Sequence, residues 1–122
     1  ALGSAPPAAR FPFMTIGVLT LEIQLPQSRS LKDKRQVIRS LKARLRARQN
    51  VAVSEMEEHA DVWQRAGLAV ASIASDRNAL ERLFEVVVRE AESQVPGHVL
   101  ETGRDFIEAS DGGPGGWGED YA

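Results

Sequence analysis

The sequence has no cysteine, which excludes disulfides, thiolate zinc sites and cysteine nucleophiles. No apolar run approaches the roughly 18 residues that a membrane-spanning helix needs, and the start of the chain lacks the apolar stretch of a signal peptide. Histidine occurs only at His59 and His98, and no Walker A, GxSxG or GxGxxG pattern is present. We therefore expect a cytoplasmic protein that is not an enzyme and has no cofactor, metal or membrane contact.

Charge is distributed very unevenly along the chain. Residues 29–48 hold nine of the fifteen Lys and Arg but only one acid, Asp33, so this stretch carries +8 and the rest −10, for a net charge of −2. An uneven charge distribution of this kind gives information about what a protein binds, not about its fold. The pattern favours binding of a polyanion.

Within that stretch, five cations recur at steps of three and four residues. Because each helical residue turns by about 100°, they fall within about 80° of one another on a predicted helix. We call this set the basic ridge, and it consists of Lys32, Arg35, Arg39, Lys42 and Arg46. An apolar stripe lies beside it, containing Leu31, Val37, Ile38, Leu41 and Leu45. The spacing predicts one face in the core and a neighbouring face that contacts phosphates, with Arg29 and Arg44 at its periphery.

A simpler interpretation of the basic ridge is a solvated helix face, because Lys and Arg are good helix formers. Such faces usually alternate acids with bases at i,i+4, and like charges at that spacing destabilise a helix by a few tenths of a kcal/mol per pair. The scarcity of acids between residues 29 and 48 therefore favours anion binding.

Hydrophobic periodicity predicts four strands and two helices. Alternation at residues 15–25 indicates a half-buried strand, and Ser30 with Asp33 forms a helix-start signal. Gly103 suggests a β-bulge. The predicted elements are strand 15–25, a basic helix from Ser30 to near Asn50, strands 51–56 and 68–74, a helix capped by Asp76 and ending near Ser93, and strand 98–109.

The order βαββαβ is that of an α+β, ferredoxin-like fold. Right-handed crossovers place both helices on one face of a four-stranded antiparallel sheet. We expect one domain at residues 14–110, preceded at 1–13 by a cloning remnant or flexible extension. Residues 111–122 are rich in glycine and acids, which predicts a flexible tail; Trp117 and Tyr121 are either incidental there or a short hook for a partner.

The connection between the second and third strands carries a second candidate site. Its acids and His59, within residues 55–61, match no metal-binding spacing, so we interpret them as a solvated loop. Trp63 either closes the end of the core or anchors a subunit interface. We assign Trp63, Gln64 and Arg65 to a possible interface with a partner or a second copy.

Two families that share this element order are disfavoured by particular residues. Acylphosphatases bind phosphate in a glycine-bearing loop after the first strand, whereas residues 25–31 contain Arg29 but no glycine. Arg29 remains a candidate phosphate contact at the helix N-terminus, or it is fully solvated. RRM domains stack bases on sheet aromatics, and the strands at 15–25 and 68–74 contain none.

The chain also resembles the YlxP-like family of small bacterial proteins of unknown function. The resemblance rests on SLKDKR at 30–35, SLKARLR at 40–46, NVAVSE at 50–55 and WQRA-x-L-x-V at 63–70, and it extends over about residues 14–110. It implies a ferredoxin-like fold and a bacterial cytoplasmic protein. Family members are often encoded near translation-initiation and ribosome-maturation factors, which implies RNA or ribosome association by analogy only.

The sequence leads to two functional hypotheses. In the first, the protein binds structured RNA or a ribosomal subunit through the basic ridge and Arg29. In the second, it is a homo-oligomeric protein-interaction module, in which the basic helix and the Trp63 loop meet an acidic surface. The negative charge outside residues 29–48 makes the second electrostatically reasonable.

Overall fold

A computed structural model describes residues 14–109. The predictions made for residues 1–13 and 111–122, including Trp117 and Tyr121, lie outside the described residues. The elements are β1 (Met14–Gln24), α1 (Leu31–Arg48), β2 (Ala52–Met56), a 3₁₀ turn (Glu57–His59), β3 (Arg65–Ala74), α2 (Arg77–Gln94) and β4 (His98–Ala109).

The four strands form one antiparallel sheet in the order β2-β3-β1-β4. This order and the βαββαβ sequence of elements confirm the predicted ferredoxin-like arrangement. β1 is central, paired with β3 on one side and β4 on the other, while β2 and β4 form the two edges.

β1 shows the alternation that the sequence predicts. Its odd-numbered residues from Thr15 to Ile23 are buried beneath the helices, whereas its even-numbered residues are only partly buried on the opposite face. We call this second surface the open face of the sheet. Successive strand residues point to opposite faces, so the register assigns Ile73 and Ile107 to the open face beside Ile16.

The core lies between the sheet and the two helices. Both helices bury one stripe spaced at three and four residues, as an amphipathic helix must when it packs on a sheet. α1 contributes Ile38, Leu41 and Leu45, and α2 contributes Leu80, Phe84, Val87 and Ala91. Leu31, Val37, Leu83 and Val88 from the predicted stripes are only partly buried.

Both predicted helix caps form. The Ser30 hydroxyl accepts a hydrogen bond from the Asp33 N–H at 3.0 Å, and the Asp76 carboxylate accepts one from the Ala79 N–H at 2.8 Å. The β-bulge is also confirmed, since Thr20 pairs with Gly103 and Leu21 with Glu101, which leaves Thr102 as the extra residue.

β3 differs from its predicted bounds. It begins at Arg65 rather than residue 68, because Arg65 pairs with Gln24 at the end of β1. The alternation of apolar residues does not detect the first residues of β3, because Arg65 and Gly67 are not large apolar residues. The connection between β2 and β3 is correspondingly shorter than predicted.

Candidate nucleic-acid interface

The basic ridge lies along α1 on the side nearest the edge strand β2. Lys32, Arg35 and Arg39 are exposed, and Lys42 is partly buried. Arg46 is exposed as well, and its Nη2 donates a hydrogen bond to the carbonyl oxygen of Val53 on β2 at 3.0 Å. That contact fixes the orientation of the ridge relative to the sheet edge. From Lys32 to Arg46 the ridge extends about 21 Å along the helix axis.

The ridge is short of acidic partners. Within residues 14–109, no carboxylate forms an ion pair with Lys32, Arg35, Arg39, Lys42 or Arg46. Their charges remain available to an external anion. The lack of acidic partners around the ridge agrees with the scarcity of acids between residues 29 and 48.

Two other cations of α1 point towards α2. Arg44 Nε and Arg48 Nη1 lie 3.3 and 3.6 Å from Oε2 of Glu90, whose side chain is 10% exposed. One carboxylate therefore holds two guanidinium groups between the helices. Arg44, which the sequence predicts at the periphery of the phosphate contact, is thus paired with Glu90.

The N-terminus of α1 already holds an acid. The Asp33 carboxylate accepts a hydrogen bond from the backbone N–H of Arg29 at 3.0 Å, one residue earlier than a capping box places it. The positive end of the helix is thus partly neutralised by a carboxylate. The Arg29 side chain is exposed beside it and remains a candidate contact at the end of the ridge.

Lys34 is the residue that the sequence analysis missed. It is 2% exposed, and its Nζ donates to the carbonyl oxygens of His59, Ala60 and Arg65 at 2.9, 3.3 and 3.2 Å. A signal was present, because Lys34 lies four residues before Ile38 and so shares its helical face. Lys34 fastens the connection between β2 and β3 to α1.

That connection presents two exposed apolar side chains. Val62 is 43% exposed and Trp63 is 50% exposed, so Trp63 does not close the core. Gln64 joins the connection to the end of β1, since its carbonyl accepts from the Leu25 N–H at 2.9 Å and its Nε2 donates to the Pro26 carbonyl at 3.3 Å. Arg65 is exposed at the start of β3. The three predicted interface residues are therefore adjacent, but only Trp63 offers apolar area.

A polar cluster lies on the open face near the 3₁₀ turn. His59 Nε2 is 3.3 Å from Glu22 Oε1 and 3.8 Å from Glu58 Oε1, and Gln24 Nε2 donates to Glu22 Oε2 at 3.0 Å. The Gln24 amide, followed by the nearby charge of Arg65 and by His59, lowers the pKa of the Glu22 carboxyl from its ordinary value against the opposing effect of burial.

A second polar cluster lies on the helix side of the sheet, where Arg104 forms ion pairs with three glutamates. Its guanidinium lies 2.7 Å from Glu101, 3.0 Å from Glu81 and 3.4 Å from Glu85. The hydrogen bond with Glu101 raises the pKa of Arg104 above its ordinary value. These contacts tie α2 to the edge strand β4.

No group of three or more His, Asp or Glu side chains within the described part of the chain could hold a metal ion. None of the described helices combines the length and apolarity that crossing a membrane requires. The surface that stands out chemically is the basic ridge.

Comparison with known proteins gives a family and one curated relative. A family model with the description "Protein of unknown function (DUF503)" matches residues 16–104. The chain is similar to "Uncharacterized protein YlxP" of Bacillus subtilis (strain 168), with 32% identity over 73 residues, which are 60% of this chain and 78% of that protein. Among solved structures, "De novo designed protein Foldit4" matches with a TM-score of 0.44 and 16% identity, covering 77% of this chain and 96% of that one.

Proposed function

Because the chain belongs to DUF503, a family of proteins of unknown function, its activity must be argued from its own surface, and we propose that it binds structured RNA through the basic ridge. In this proposal it is a non-enzymatic, cytoplasmic accessory protein that docks α1 on a ribosomal subunit or on maturing ribosomal RNA. The ribosomal assignment rests on the family resemblance, whereas the binding chemistry rests on the ridge.

The observation that carries the proposal is that five cations without an ion pair among residues 14–109 share one face of α1, whereas four other arginines and Lys34 are engaged within the protein. Arg44, Arg48, Arg77 and Arg104 all form ion pairs within the protein, and Lys34 is saturated by carbonyl groups. The ridge cations have no carboxylate partner among residues 14–109. A line of unneutralised charge about 21 Å long matches several consecutive phosphates of a folded RNA.

The mode of binding follows from what the sheet offers. β1 and β3 contain no aromatic residue, and Phe106 of β4 packs against Phe84 with ring centroids 5.9 Å apart on the helix side. Bases therefore have no ring on β1 or β3 to stack on, unlike the RRM arrangement. Recognition would depend on phosphate positions and RNA shape, with weak sequence preference.

A second candidate function is supported by the exposed Val62 and Trp63. In it, the protein is a homo-oligomeric interaction module that uses α1 and the Trp63 loop. The acids at Glu55, Glu57, Glu58 and Asp61 are exposed near that loop and would meet the basic ridge of a second copy. It predicts that Trp63→Ala abolishes association, which light scattering over a range of concentrations would measure.

The test is co-sedimentation of the full chain with purified ribosomal subunits, comparing two double variants of equal net charge. Arg35→Glu/Arg39→Glu reverses the middle of the ridge. Arg82→Glu/Arg89→Glu is the matched control, because both residues are exposed and lie on the face of α2 opposite its buried stripe. We expect the ridge variant to lose at least about tenfold in affinity, corresponding to about 1.4 kcal/mol.

Two results would contradict the proposal. The wild-type protein could fail to bind either subunit at low salt. The two double variants could lose the same affinity, in which case net charge rather than the ridge would control binding. Circular dichroism establishes that both variants are folded before their affinities are compared.

A further inference from the structure

The net negative charge of the chain is concentrated in the residues that follow β4. Residues 14–109 hold fourteen Lys and Arg and fourteen Asp and Glu, so they sum to zero. Residues 1–13 add one arginine, whereas residues 110–122 contain three acids, Asp111, Glu119 and Asp120, and no Lys or Arg. The net charge of −2 is therefore +1 from the first stretch and −3 from the last. We call residues 110–122 the acidic segment.

The basic ridge carries the complementary charge on the folded domain. Its five cations, from Lys32 to Arg46, have no ion pair within residues 14–109. The cations beside β4 itself are different, because Arg77 and Arg104 both pair with Glu81. An acid that follows β4 would compete with existing ion pairs there, whereas on the ridge it meets a row of uncompensated cations.

The acidic segment is long enough to reach the ridge. Ala109 lies at the end of the sheet where β1 begins, whereas Val53, which Arg46 contacts, is level with Leu19. Five residues along the sheet and three strand spacings across it separate Ala109 from Val53 by about 22 Å. Ten residues of glycine-rich chain have a root-mean-square span of about 16–19 Å and a maximum of about 33–36 Å. Glu119, ten residues after Ala109 with five glycines between them, therefore has the reach to meet Arg46.

We propose that the acidic segment docks on the basic ridge of its own molecule. Glu119 and Asp120 pair with Lys42 and Arg46, and Trp117 beside them supplies a ring for a cation–π contact with the same cations. Ion pairs at an exposed surface are individually weak. The docked segment therefore exchanges readily, and an RNA that offers several phosphates at once displaces it.

The regulatory consequence rests on the proposed function, because the surface that the segment covers is the one assigned to RNA. A segment tethered in this way meets its site at an effective concentration on the order of 1 mM. With an intrinsic Kd of about 0.3–1 mM, the apparent Kd for RNA rises by a factor of one plus the ratio of these two values, which is about two- to fourfold. The segment thus favours RNAs that contact the ridge at several positions over anions that contact it at one.

The experiment places a nitroxide label on the segment and detects its position by NMR. The chain has no native cysteine, so Gly118→Cys in the full chain provides a single labelling position. Docking is expected to broaden the backbone amide signals of Lys42 and Arg46 by paramagnetic relaxation. A segment without a preferred site would instead broaden the start of α2 first, because the Arg77 guanidinium lies 4.3 Å from the ring centroid of Phe106, near the end of β4.

Two double variants remove equal charge from different places. Glu119→Gln/Asp120→Asn should abolish the broadening of the ridge signals in the labelled chain. Without the label, it should strengthen binding to a ribosomal RNA hairpin about two- to fourfold. Glu92→Gln/Asp105→Asn is the matched control, because both acids are exposed and neither forms an ion pair within residues 14–109. We expect the control to keep the broadening and to strengthen RNA binding less.

Four results would overturn the proposal. The ridge signals could stay sharp in the labelled chain, or could broaden no more than those at the start of α2. They could also stay broadened after Glu119→Gln/Asp120→Asn. In a mixture of nitroxide-labelled protein with isotope-labelled protein that lacks the nitroxide, broadening of the ridge would assign the contact to a second copy. Broadening within one molecule, without RNA binding by any variant, would support the docking and contradict the proposed function alone.

Discussion

At the scale of single residues, Lys34 determines how the loop that follows β2 is held. A buried ammonium group is costly unless hydrogen bonds replace its hydration. Three carbonyl oxygens within 3.3 Å provide that replacement, and they use all three of its N–H donors. The same contacts satisfy carbonyl groups of a segment that has little regular structure of its own. Lys34 is therefore a structural cation, in contrast to the basic ridge of the same helix, which faces outward.

Replacing Lys34 by Met should destabilise the protein by about 2–3 kcal/mol, because the carbonyls of His59, Ala60 and Arg65 lose their donor while the apolar stem is retained. Urea unfolding measures this difference. Lys32→Met removes the same charge from an exposed position and should change stability by less than about 0.5 kcal/mol. Equal effects of the two substitutions would mean that the buried hydrogen bonds contribute nothing net.

A second residue-scale prediction concerns Glu22. Its pKa is lowered first by the Gln24 amide, so Gln24→Leu should move that pKa back towards its ordinary value. A lowered pKa means that the folded state favours the ionised carboxylate. Its stabilising contribution is therefore present above the unfolded pKa and is lost as pH falls through the folded pKa.

NMR titration of the Glu22 carboxyl carbon would measure the shift directly. Gln64→Leu is the control, because Gln64 lies close to the same end of the sheet but donates to the Pro26 carbonyl instead. If Gln24→Leu left the Glu22 pKa unchanged, or if Gln64→Leu moved it as far, the Gln24 amide would not be the cause.

At the scale of secondary-structure elements, local patterns were sufficient for most of the fold. The alternation in β1 predicted the buried Leu19, Leu21 and Ile23 because a strand places successive side chains on opposite faces. Ser30 and Asp76 predict the helix starts because an N-cap side chain accepts a hydrogen bond from the backbone N–H three residues later, which is a local contact. The line of ridge cations followed from helical periodicity alone.

Other features depend on contacts between residues distant in sequence, which no local pattern contains. Lys34 meets carbonyls 25 to 31 residues away, and Arg44 meets Glu90 across the helix pair. The exposure of Trp63 depends on where the loop after β2 crosses the end of the sheet. Ile16, Ile73 and Ile107 likewise belong to three strands, and only the register places them side by side on the open face.

The turn between α2 and β4 gives an element-scale prediction. A Cβ on Gly97 would overlap the backbone carbonyl oxygen of Gln24, and a backbone atom cannot move aside as a side chain can. Gly97→Ala should therefore destabilise the protein by about 1–3 kcal/mol. Gly103→Ala is the comparison, because the nearest atom there is Thr20 Oγ1 at 2.9 Å, the end of a side chain that can rotate. Thermal unfolding that lowered the Tm equally in both would contradict this account.

At the scale of the whole molecule, the distribution of charge matters more than its total. Residues 14–109 contain fourteen Lys and Arg and fourteen Asp and Glu, so the described domain has no net attraction for a polyanion. Outside the ridge, Arg44, Arg48, Arg77 and Arg104 are paired with acids of the protein itself. Affinity for RNA must therefore come from the local field of α1, and it must respond to salt in proportion to the phosphates that α1 contacts.

The salt dependence of RNA binding is the sharpest whole-molecule prediction. If four ridge cations each displace one counterion from duplex RNA, log K should fall with log salt with a slope of about −3.6. Arg35→Glu/Arg39→Glu should reduce the slope to about −1.8 or less, since two of the four contacts are lost. Fluorescence anisotropy with a labelled ribosomal RNA hairpin would measure both. Arg82→Glu/Arg89→Glu has the same net charge and should keep the wild-type slope. Equal slopes for the two variants would show that binding follows total charge, and the ridge would then have no special role.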